Sequence, residues 1–503
     1  MKSGDKMKVL RCEDIRAADR EAQRLGIAGI VLMEHAAMAL ARAVESAQAM
    51  CGGRVAIVCG SGNNGGDGYA LARLLHEKRD FKIKLVRDKA PDASCVDATA
   101  NERLAVRLGI EMCTFEQFDP SDHDIIVDCL FGTGLSRELD SPYTELIERI
   151  NQSQAYVIAC DIASGLSADG GMIMGCAVKA NETISFAAGK LGLYMNEGIA
   201  YSGQVTIADI GIPDALFQDF DSYTILDDTV VSAFLPKRRA HSHKRSYGNL
   251  LMIGAAQGMY GALLMAAKAA LRCGAGLVTM MGDEDLASGA LTLSEAMCLS
   301  YPEQNEEAFQ ALLQRYDCVS IGNGLGRDTK AMWLVRQVWE SDRPAVFDGD
   351  ALYLLGEWKE SKKRTAPYVL TPHPKELSYL LGTDITKLIE SPAEALKLSE
   401  RAYPSGVIVM KNTRTVISNG KNRYLNITGN HGLATGGSGD VLCGMILGFM
   451  GQAASPLEAA ACAVYLQGRC ADSLGKVMAL RSILPGDIIE QISKELTALD
   501  KEI

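Results

Sequence analysis

The sequence predicts an α/β protein with two domains, and three observations support this. Its 503 residues exceed the roughly 250 to 300 residues that one hydrophobic core usually organises. Hydrophobic residues make up 48% of the chain and charged residues 22%, a balance typical of packed globular proteins. Short apolar runs alternate with helix-like segments in two separate series, which is the pattern of parallel strands covered by helices.

The first series begins with a long helical segment. Residues 14–49 have helical periodicity, with Met33, Ala37, Leu40 and Val44 on one side. The strand-like runs that follow are RVAIVCG, KIKLVRD, IIVDCLFG and YVIACDIAS, and the helix-like YALARLLHE follows the first of them. We therefore expect a doubly wound parallel sheet with helices on both faces.

The second series begins after about residue 240 and predicts another parallel α/β sheet. Its strand-like runs are NLLMIGAA, GLVTMMG, DCVSIGNG, PAVFDGD, YVLTPH and GVIVMK, separated by helical stretches such as ALLMAAKAALRCG. The segment between the two series, residues 211–237, mixes acidic and basic residues with two prolines. We therefore predict one domain over residues 1–222 and a second over residues 223–503.

Charge and hydropathy exclude several classes of partner. A net charge of −11 argues against duplex nucleic acid, because such binding depends on Lys and Arg neutralising phosphates. No apolar run reaches the roughly 18 residues that a membrane span needs, and the first residues lack the apolar region of a secretory signal. The 14 cysteines include no CxxC pair and several lie in apolar runs, so we expect reduced, structural thiols. These features predict a cytoplasmic protein without a nucleic-acid or membrane partner.

Three strand ends of the first domain carry polar, glycine-bearing loops. One is GSGNNGGDG, and the others follow Asp128 and Asp161. The first loop does not have the dinucleotide GxGxxG spacing and could be only a tight turn, but glycines also let a ligand approach the backbone. Ligands of doubly wound sheets lie beyond the carboxyl ends of the strands, so the loops should converge. Their oxygens could bind a cation, and a carboxylate could act as acid or base; alternatively, Asp128 and Asp161 only cap loop N–H groups.

The order GSGNNGGDG, VDCLFGTGLSRE, DIASGLSADGG over residues 10–220 resembles the Rossmann-like epimerase domain of the bifunctional NAD(P)H-hydrate repair enzymes. The resemblance implies that Asn64, Asp128 and Ser164 hold a potassium ion. We predict that Asp161 handles protons. The residues implied to line the hydrate pocket are Asn63, Asn64, Gly65, Gly66, Asp67, Gly132, Thr133, Gly134, Leu135, Ser136, Arg137, Glu138, Tyr143 and Asp161.

Lys190 lies in the run FAAGKLGLY, after another strand-like segment. It could place a positive charge beside a pyrophosphate. Lysines are more often solvated at the surface, and that alternative stays open here.

The second domain contains a glycine-rich run that leads into an apolar helix, GNHGLATGGSGDVLCGMILGFMG. Free N–H groups at the start of such a helix form a cradle for phosphate, and Asp440 at its mouth can take or give a proton. This pattern resembles the ribokinase-like superfamily, an α/β sandwich. Further runs, IGNGLGR, FDGDAL, LTPHPKEL and KNTRTVI, extend the likeness to ADP-dependent NAD(P)H-hydrate dehydratases over residues 225–500.

The resemblance implies two sets of binding residues in this domain. The hydrate contacts are Ala262, Gly324, His373 and Asp440, and the adenine-nucleotide contacts are Lys411, Asn412, Thr413, Arg414, Thr415 and Gly439. Simpler interpretations stay open: His373 as a loop histidine between prolines, Asp348 and Asp350 as turn formers, and Lys411 and Arg414 as a solvated strand edge.

Together the two resemblances predict a cytoplasmic isomerase and lyase that repairs hydrated NADH and NADPH. The first domain would interconvert the R and S hydrates, and the second would dehydrate the S hydrate with ADP, Asp440 removing the hydroxyl proton. The implied cofactors are potassium and magnesium ions, the partners are NADHX, NADPHX and ADP, and the implied assembly is a homo-oligomer. The alternatives are a ribokinase-like kinase for a small alcohol, which would accumulate a phosphorylated product, and a non-catalytic cofactor sensor, which would bind without turnover.

Overall fold

The computed structural model describes residues 8–283, 286, 292–358 and 364–500, and the chain divides into two compact units between Tyr223 and Thr224. Each unit has a hydrophobic core of its own. Among the described residues, no helix is both long enough and apolar enough to span a membrane.

The first unit contains nine strands and six α-helices in the part that the structure describes. The strands are β1 (Lys8–Leu10), β2 (Arg54–Cys59), β3 (Lys82–Val86), β4 (Glu111–Cys113), β5 (Ile125–Cys129), β6 (Tyr156–Cys160), β7 (Glu182–Phe186), β8 (Gly189–Lys190) and β9 (Gln204–Ala208). The helices are α1 (Cys12–Arg24), α2 (Gly29–Cys51), α3 (Asn63–His76), α4 (Val96–Arg107), α5 (Tyr143–Gln152) and α6 (Gly198–Tyr201).

Seven of these strands form a parallel sheet in the order β4-β3-β2-β5-β6-β7-β9. The chain leaves β2 toward β3 on one side and later returns to its other side as β5. The predicted doubly wound sheet is confirmed, and the point where the strand order reverses lies between β2 and β5. Ligands bind beyond the carboxyl ends of the strands at such a point.

The helical segment predicted over residues 14–49 is two helices, α1 and α2. The chain turns between them, where Gly26 has a φ of 106° that a helix interior does not allow. The predicted inward face is correct, since Met33, Ala37, Leu40 and Val44 are all buried. Periodicity identified the buried face, but the positive φ that ends α1 leaves no periodic signal.

The second unit holds the remaining elements. Its strands are β10 (Tyr223–Ile225, at the division), β11 (Asn249–Ile253), β12 (Leu277–Gly282), β13 (Met297–Ser300), β14 (Cys318–Ile321), β15 (Ala345–Phe347), β16 (Tyr368–Leu370), β17 (Val407–Met410), β18 (Thr415–Ser418) and β19 (Arg423–Asn426). The helices are α7 (Asp228–Phe234), α8 (Tyr260–Arg272), α9 (Glu306–Leu313), α10 (Thr329–Glu340), α11 (Asp350–Glu357), α12 (Pro374–Leu381), α13 (Ile385–Glu390), α14 (Pro392–Ala402), α15 (Ser438–Met450), α16 (Pro456–Gly475) and α17 (Pro485–Asp500).

The second sheet runs β13-β12-β11-β14-β15-β16-β17-β18-β19. It is parallel from β13 to β17, which confirms the predicted parallel sheet for the strands that the sequence indicated, whereas β17, β18 and β19 pair antiparallel at the edge. A short turn at residues 419–422, with Gly420 at a φ of 81°, joins β18 to β19. The run Ser-Asn-Gly between two alternating segments is a hairpin signal.

Helix α15 carries Asp440 in its first turn and is buried along the rest of its length. It packs closely against α8: a Cβ atom added at Gly444 would lie 2.0 Å from the carbonyl oxygen of Ala266. The glycine therefore lets the two helices approach, and this contact fixes where the start of α15 meets the carboxyl ends of the strands.

Candidate active sites

In the first unit, the loops after β2, β5 and β6 meet as the sequence predicts. The amide of Gly60 donates to the carbonyl of Cys129 at 3.0 Å, and a Cβ atom at Gly60 would lie 1.9 Å from the carbonyl oxygen of Leu130. The amide of Phe131 donates to Ser164 Oγ at 2.9 Å. These contacts bring the three glycine-bearing loops together at the carboxyl edge of the sheet.

Asp128 and Ser164 form a fully buried pair of oxygen donors. Ser164 donates to the carboxylate through its amide at 2.8 Å and its hydroxyl at 2.6 Å, and Leu130 donates its amide at 3.2 Å. Burial raises the pKa of Asp128 to about 6, although the bonds from Ser164 oppose the shift. Asp128 therefore caps loop N–H groups, as one of the two interpretations predicts. Its buried negative charge also suits a bound cation.

Asn64 lies against the loop that begins at Gly132. A Cβ atom at Gly132 would be 3.1 Å from Asn64 Oδ1, and the amide nitrogen of Asn64 is buried without a hydrogen-bond partner. The side-chain amide of Asn64 therefore has an unused hydrogen-bond donor beside the loop that follows Asp128.

Asp161 is held in an unusual backbone conformation and by two donors. Its φ is 67°, and such values in residues other than glycine cluster at functional sites. Its Oδ1 accepts the amide of Phe186 at 3.0 Å and the ammonium of Lys190. Lys190 also donates to Ser185 Oγ at 2.9 Å and to the Phe186 carbonyl at 3.0 Å, which fixes the position of its charge.

Lys190 is 1% exposed, so the interpretation of a solvated surface lysine was wrong. Its ammonium pairs with a carboxylate. A charged residue among small and apolar neighbours, as in FAAGKLGLY, was the available signal, because buried lysines require a partner.

Asp67 is a second carboxyl group beside Asp161. Burial, together with the negative charge of Asp161, raises the pKa of Asp67 well above its usual range. The thiol of Cys160 lies 3.9 Å from Asp67 Oδ2. Two carboxyl groups therefore face the same region. Asp161 is paired with Lys190, and Asp67 favours its protonated form.

The other predicted pocket residues of this unit are less enclosed. Tyr143 packs its ring edge-on against Phe115 and Phe131, with centroids 5.8 and 4.9 Å away. The exposed positions are Asn63, Gly134, Ser136, Arg137 and Glu138. Gly65 and Gly66 are buried, and a Cβ atom on either would meet a neighbour within 2.6 Å, so both are needed for the packing of α3.

In the second unit, the loops after β11 and β14 are in direct contact. Ala255 and Ala256 donate their amides to the carbonyls of Asn323 at 3.1 Å and Gly324 at 2.7 Å. A Cβ atom at Gly324 would lie 3.4 Å from that of Ala262. Two of the predicted hydrate contacts, Ala262 and Gly324, are therefore neighbours.

Asn323 connects the buried carboxylate of Asp348 with the half-buried carboxylate of Asp440. Its amide nitrogen donates to Asp440 Oδ1 at 2.8 Å and to Asp348 Oδ2 at 3.2 Å, and its amide oxygen is buried without a partner. Burial raises the pKa of Asp440 to about 6; the bond from Asn323 opposes this shift, and the charge of Asp348 adds to it. Asp440 is thus mostly ionised at neutral pH and able to accept a proton.

Asp348 is 3% exposed and accepts bonds from Thr371 Oγ1 at 2.5 Å and Lys411 Nζ at 3.0 Å. The turn-former interpretation of this residue was therefore wrong. Asp350 accepts the amide of Gly326 at 3.0 Å and Arg327 Nε at 2.8 Å, so it holds the loop after β14.

His373 caps α12 and lies beside Glu376. The amide of Glu376 donates to His373 Nδ1 at 3.2 Å, and His373 donates its amide to the Glu376 carboxylate at 2.8 Å. Burial raises the pKa of Glu376 to about 7, although Lys411 opposes the shift. The His373 side chain remains 44% exposed. His373 therefore lies in a loop, as predicted, and at the edge of the site.

Lys411 points toward the glycine-rich start of α15. A Cβ atom at Gly439 would be 3.5 Å from its Nζ. Burial opposes the charge, but Asp348 and Glu376 together raise the pKa of Lys411. The start of α15 is itself held by Gln467, which donates to the carbonyl of Ser438 at 2.7 Å. A fixed cation and free helix N–H groups therefore face one space.

Arg414 is enclosed too, so a solvated strand edge was the wrong interpretation for both basic residues. Its guanidinium donates to the carbonyls of Thr428 and Gly429 at 3.2 and 3.0 Å. It therefore holds the segment that leads into the glycine-rich loop. Asn412 and Thr415 are half-buried nearby and Thr413 is exposed.

Asn323, Asp348 and Glu376 were not predicted as site residues. The signals were weak: an Asn between glycines after a buried strand, and acids within motifs already quoted. Their importance arises from contacts across loops that are far apart in the chain.

Comparisons with known proteins match each unit. Residues 250–494 match the family model described as NAD(P)H-hydrate dehydratase, and residues 29–192 match that described as the YjeF-related protein N-terminus. The bifunctional NAD(P)H-hydrate repair enzyme of Moorella thermoacetica is 36% identical over 95% of this chain and 94% of its own length. That of Coxiella burnetii is 36% identical over 95% and 97%.

A solved structure is similar to the second part of the chain. It is the ADP/ATP-dependent NAD(P)H-hydrate dehydratase of Bacillus subtilis, co-crystallised with ATP and Mg²⁺. It is 31% identical, with a TM-score of 0.50, and the match covers 55% of this chain and 98% of that one.

Proposed function

The chain belongs to the bifunctional NAD(P)H-hydrate repair enzymes, and on that premise we propose how its two units divide the work. The family members are both epimerases and dehydratases of hydrated NADH and NADPH, and so is this chain. We assign the interconversion of R and S hydrates to residues 1–222 and the ADP-dependent dehydration of the S hydrate to residues 223–503. Family membership disfavours the small-alcohol kinase and the cofactor sensor.

The observation that carries the dehydratase assignment is the placement of Asp440 at the mouth of the glycine-rich start of α15. Asn323 orients its carboxylate, and Lys411 supplies a buried positive charge beside Gly439. Such a site combines a base with donors for phosphate. In our proposal, Ala262, Gly324 and His373 bind the hydrate, while Lys411–Thr415 and Gly439 bind the nucleotide.

The chemistry requires activation of a poor leaving group. Asp440 accepts the proton of the ring hydroxyl, whose oxygen attacks the β-phosphorus of ADP, and the bond to the α-phosphate oxygen breaks to release AMP. The phosphorylated carbon then loses phosphate with electron push from the ring nitrogen, and loss of the neighbouring C–H proton restores the double bond. The products are AMP, phosphate and NAD(P)H, so one ADP is consumed per repair.

Magnesium would offset phosphate charge during this transfer. Among the described residues, no cluster of three or more His, Cys, Asp or Glu side chains is arranged to hold a metal. This suits Mg²⁺ bound mainly through nucleotide phosphates and water.

For the epimerase we propose two carboxyl groups with different roles. Inversion at the hydroxyl-bearing carbon requires the C–O bond to break and to form again on the other face. Asp67, which favours its protonated form, would protonate the departing hydroxyl, and Asp161, which is paired with Lys190, would accept a proton from the returning water. No nucleotide donor is needed.

Asn64, Asp128 and Ser164 fit a potassium ion. Asp128 and Ser164 are hard oxygen donors in a buried pair, and the side-chain oxygen of Asn64, 3.1 Å from a Cβ atom added at Gly132, lies beside the same loop. A cation there would offset the Asp128 charge and hold the loops in place.

We further propose that the enzyme works in the cytoplasm, where NADH and NADPH are used, and as a homo-oligomer. The oligomer rests on family resemblance, and the lack of a nucleic-acid partner on the net charge of −11.

Absorbance at 340 nm tests both activities in the full chain. A mixture of R and S NADPHX is added with ADP and Mg²⁺, beside the variant Asp440→Asn. Recovery of absorbance for both epimers, lost in the variant, supports the proposal. Recovery of the S epimer alone would reject the epimerase assignment, and no recovery from a folded protein would reject the dehydratase.

A further inference from the structure

An arginine at the edge of the second-unit site is held in a fixed orientation. Arg327 follows Gly324 by three residues in the loop after β14. Its Nε donates to Asp350 Oδ1 at 2.8 Å, and its guanidinium carbon lies 3.5 Å from the centroid of the Tyr353 ring. The side chain is nevertheless 50% exposed, so a preorganised cation faces solvent.

Lys330 adds a second positive charge three residues further along the chain. Its Nζ lies 3.6 Å from Asp283 Oδ1, and its side chain is 44% exposed. Lys330 lies in the first turn of α10, which begins at Thr329, and Arg327 lies in the loop just before that helix.

The carboxylates that hold these cations also bind backbone amides. Asp350 accepts the amide of Gly326 at 3.0 Å, and Asp283 accepts that of Gln257 at 3.1 Å. Asp350 is 20% exposed and Asp283 35%, so each acid is more enclosed than its basic partner. Arg327 and Lys330 are therefore the more solvent-exposed members of their ion pairs, and the exposed Asp328 lies between them in the chain.

We propose that Arg327, together with Lys330, binds a phosphate group of the hydrated dinucleotide. This inference rests on the proposed function, because it takes Gly324 and Ala262 as contacts of the hydrate. The pyrophosphate of a dinucleotide is one ribose away from the nicotinamide ring, and the phosphates of ADP have their own partners in Lys411 and the start of α15. A planar, stacked guanidinium suits phosphate oxygens.

Two phosphates of the substrate could fill this role. The pyrophosphate is common to both hydrates, whereas the 2′-phosphate is present only in NADPHX. Steady-state dehydration by the full chain Arg327→Gln, with S-NADHX and S-NADPHX in separate arms, distinguishes them.

The expected result is a fall in kcat/KM for the hydrate of about 10- to 100-fold, the range for a charge-assisted hydrogen bond. This fall in kcat/KM should come from a higher KM for the hydrate, with the KM for ADP unchanged. An equal loss in both arms identifies the pyrophosphate, and a loss confined to NADPHX identifies the 2′-phosphate. Unchanged kinetics in both arms, or an increase in the KM for ADP, would overturn the proposal.

Arg336→Gln is the matched control. Arg336 lies further along, on α10, with its guanidinium carbon 5.0 Å from the centroid of the Trp358 ring, so its replacement should leave both arms unchanged. Arg327→Lys keeps the positive charge but not the planar guanidinium, so it should show a smaller loss of kcat/KM than Arg327→Gln. If Arg327→Gln folds poorly, Arg327→Lys provides the test in its place. A wild-type chain that dehydrates neither hydrate would reject the proposed function itself.

Discussion

Lys190 and Asp161 form an ion pair in which the lysine side chain is 1% exposed and the aspartate 16%. The lysine ammonium makes two further bonds, to Ser185 Oγ and the Phe186 carbonyl. These contacts hold the Asp161 carboxylate in one orientation.

Replacing Lys190 by Met should abolish most epimerisation at neutral pH. Without the ammonium, the Asp161 carboxylate loses the donor that orients it and becomes a poorer base. We expect a loss of about 100-fold, within the range for one acid–base group. The R-to-S rate is measured at neutral pH, and dehydration of pure S hydrate is the internal control. An unchanged R-to-S rate would show that the pair is only structural.

Asp440→Asn should lower dehydratase kcat by about 10²- to 10⁴-fold, since it removes the general base. In the wild type, the ionised carboxylate is the active form and its pKa is about 6. The rate should therefore rise with pH through about 6 and level off above it. A rate that does not change between pH 5 and 7 would contradict the role of Asp440 as the base.

Asn323→Ala should shift that pH profile. The Asn323 amide donates to the Asp440 carboxylate, so its loss disfavours the ionised form and moves the acid limb to higher pH. The pH dependence of kcat separates this positioning role from a general loss of fold, which would lower the rate equally at every pH. Asn323→Asp adds a third carboxylate beside Asp348 and Asp440. Its negative charge should move the acid limb of the pH profile to still higher pH.

Potassium should stabilise the first unit through Asp128. The folded-state pKa of Asp128 is raised to about 6, so its ionised form destabilises the fold above the unfolded value, near 4. At pH 7 a bound cation offsets this charge. Thermal unfolding in potassium chloride and in choline chloride should show a higher Tm with potassium for the wild type but no difference for Asp128→Asn. A similar potassium effect in the variant would place the ion elsewhere.

Gly444→Ala should destabilise the second unit by about 1–3 kcal/mol, the usual effect of overpacking. The new Cβ atom would meet the Ala266 carbonyl oxygen at 2.0 Å, forcing α8 and α15 apart. Gly261→Ala is the control, because no atom lies within 4 Å of its added Cβ. Urea unfolding measures both. Equal stability of the two variants would show that the helices adjust without strain.

The amino-acid sequence by itself determined the fold class, the two-part organisation and the loops that carry the sites. Strand and helix periodicity and glycine-rich turns are properties of neighbouring residues, so patterns such as GSGNNGGDG and TGGSGD can be recognised without coordinates. The buried face of α2 was predictable for the same reason.

The tertiary structure alone decided which polar groups become partners. Lys190 with Asp161, Asn323 between Asp348 and Asp440, and Arg414 on the Thr428 and Gly429 carbonyls all depend on how loops from different strands meet. Burial makes each partner necessary, because an enclosed charge or amide without one is costly. Neither burial nor the distance between remote loops is encoded in a local pattern, and so these contacts required the fold.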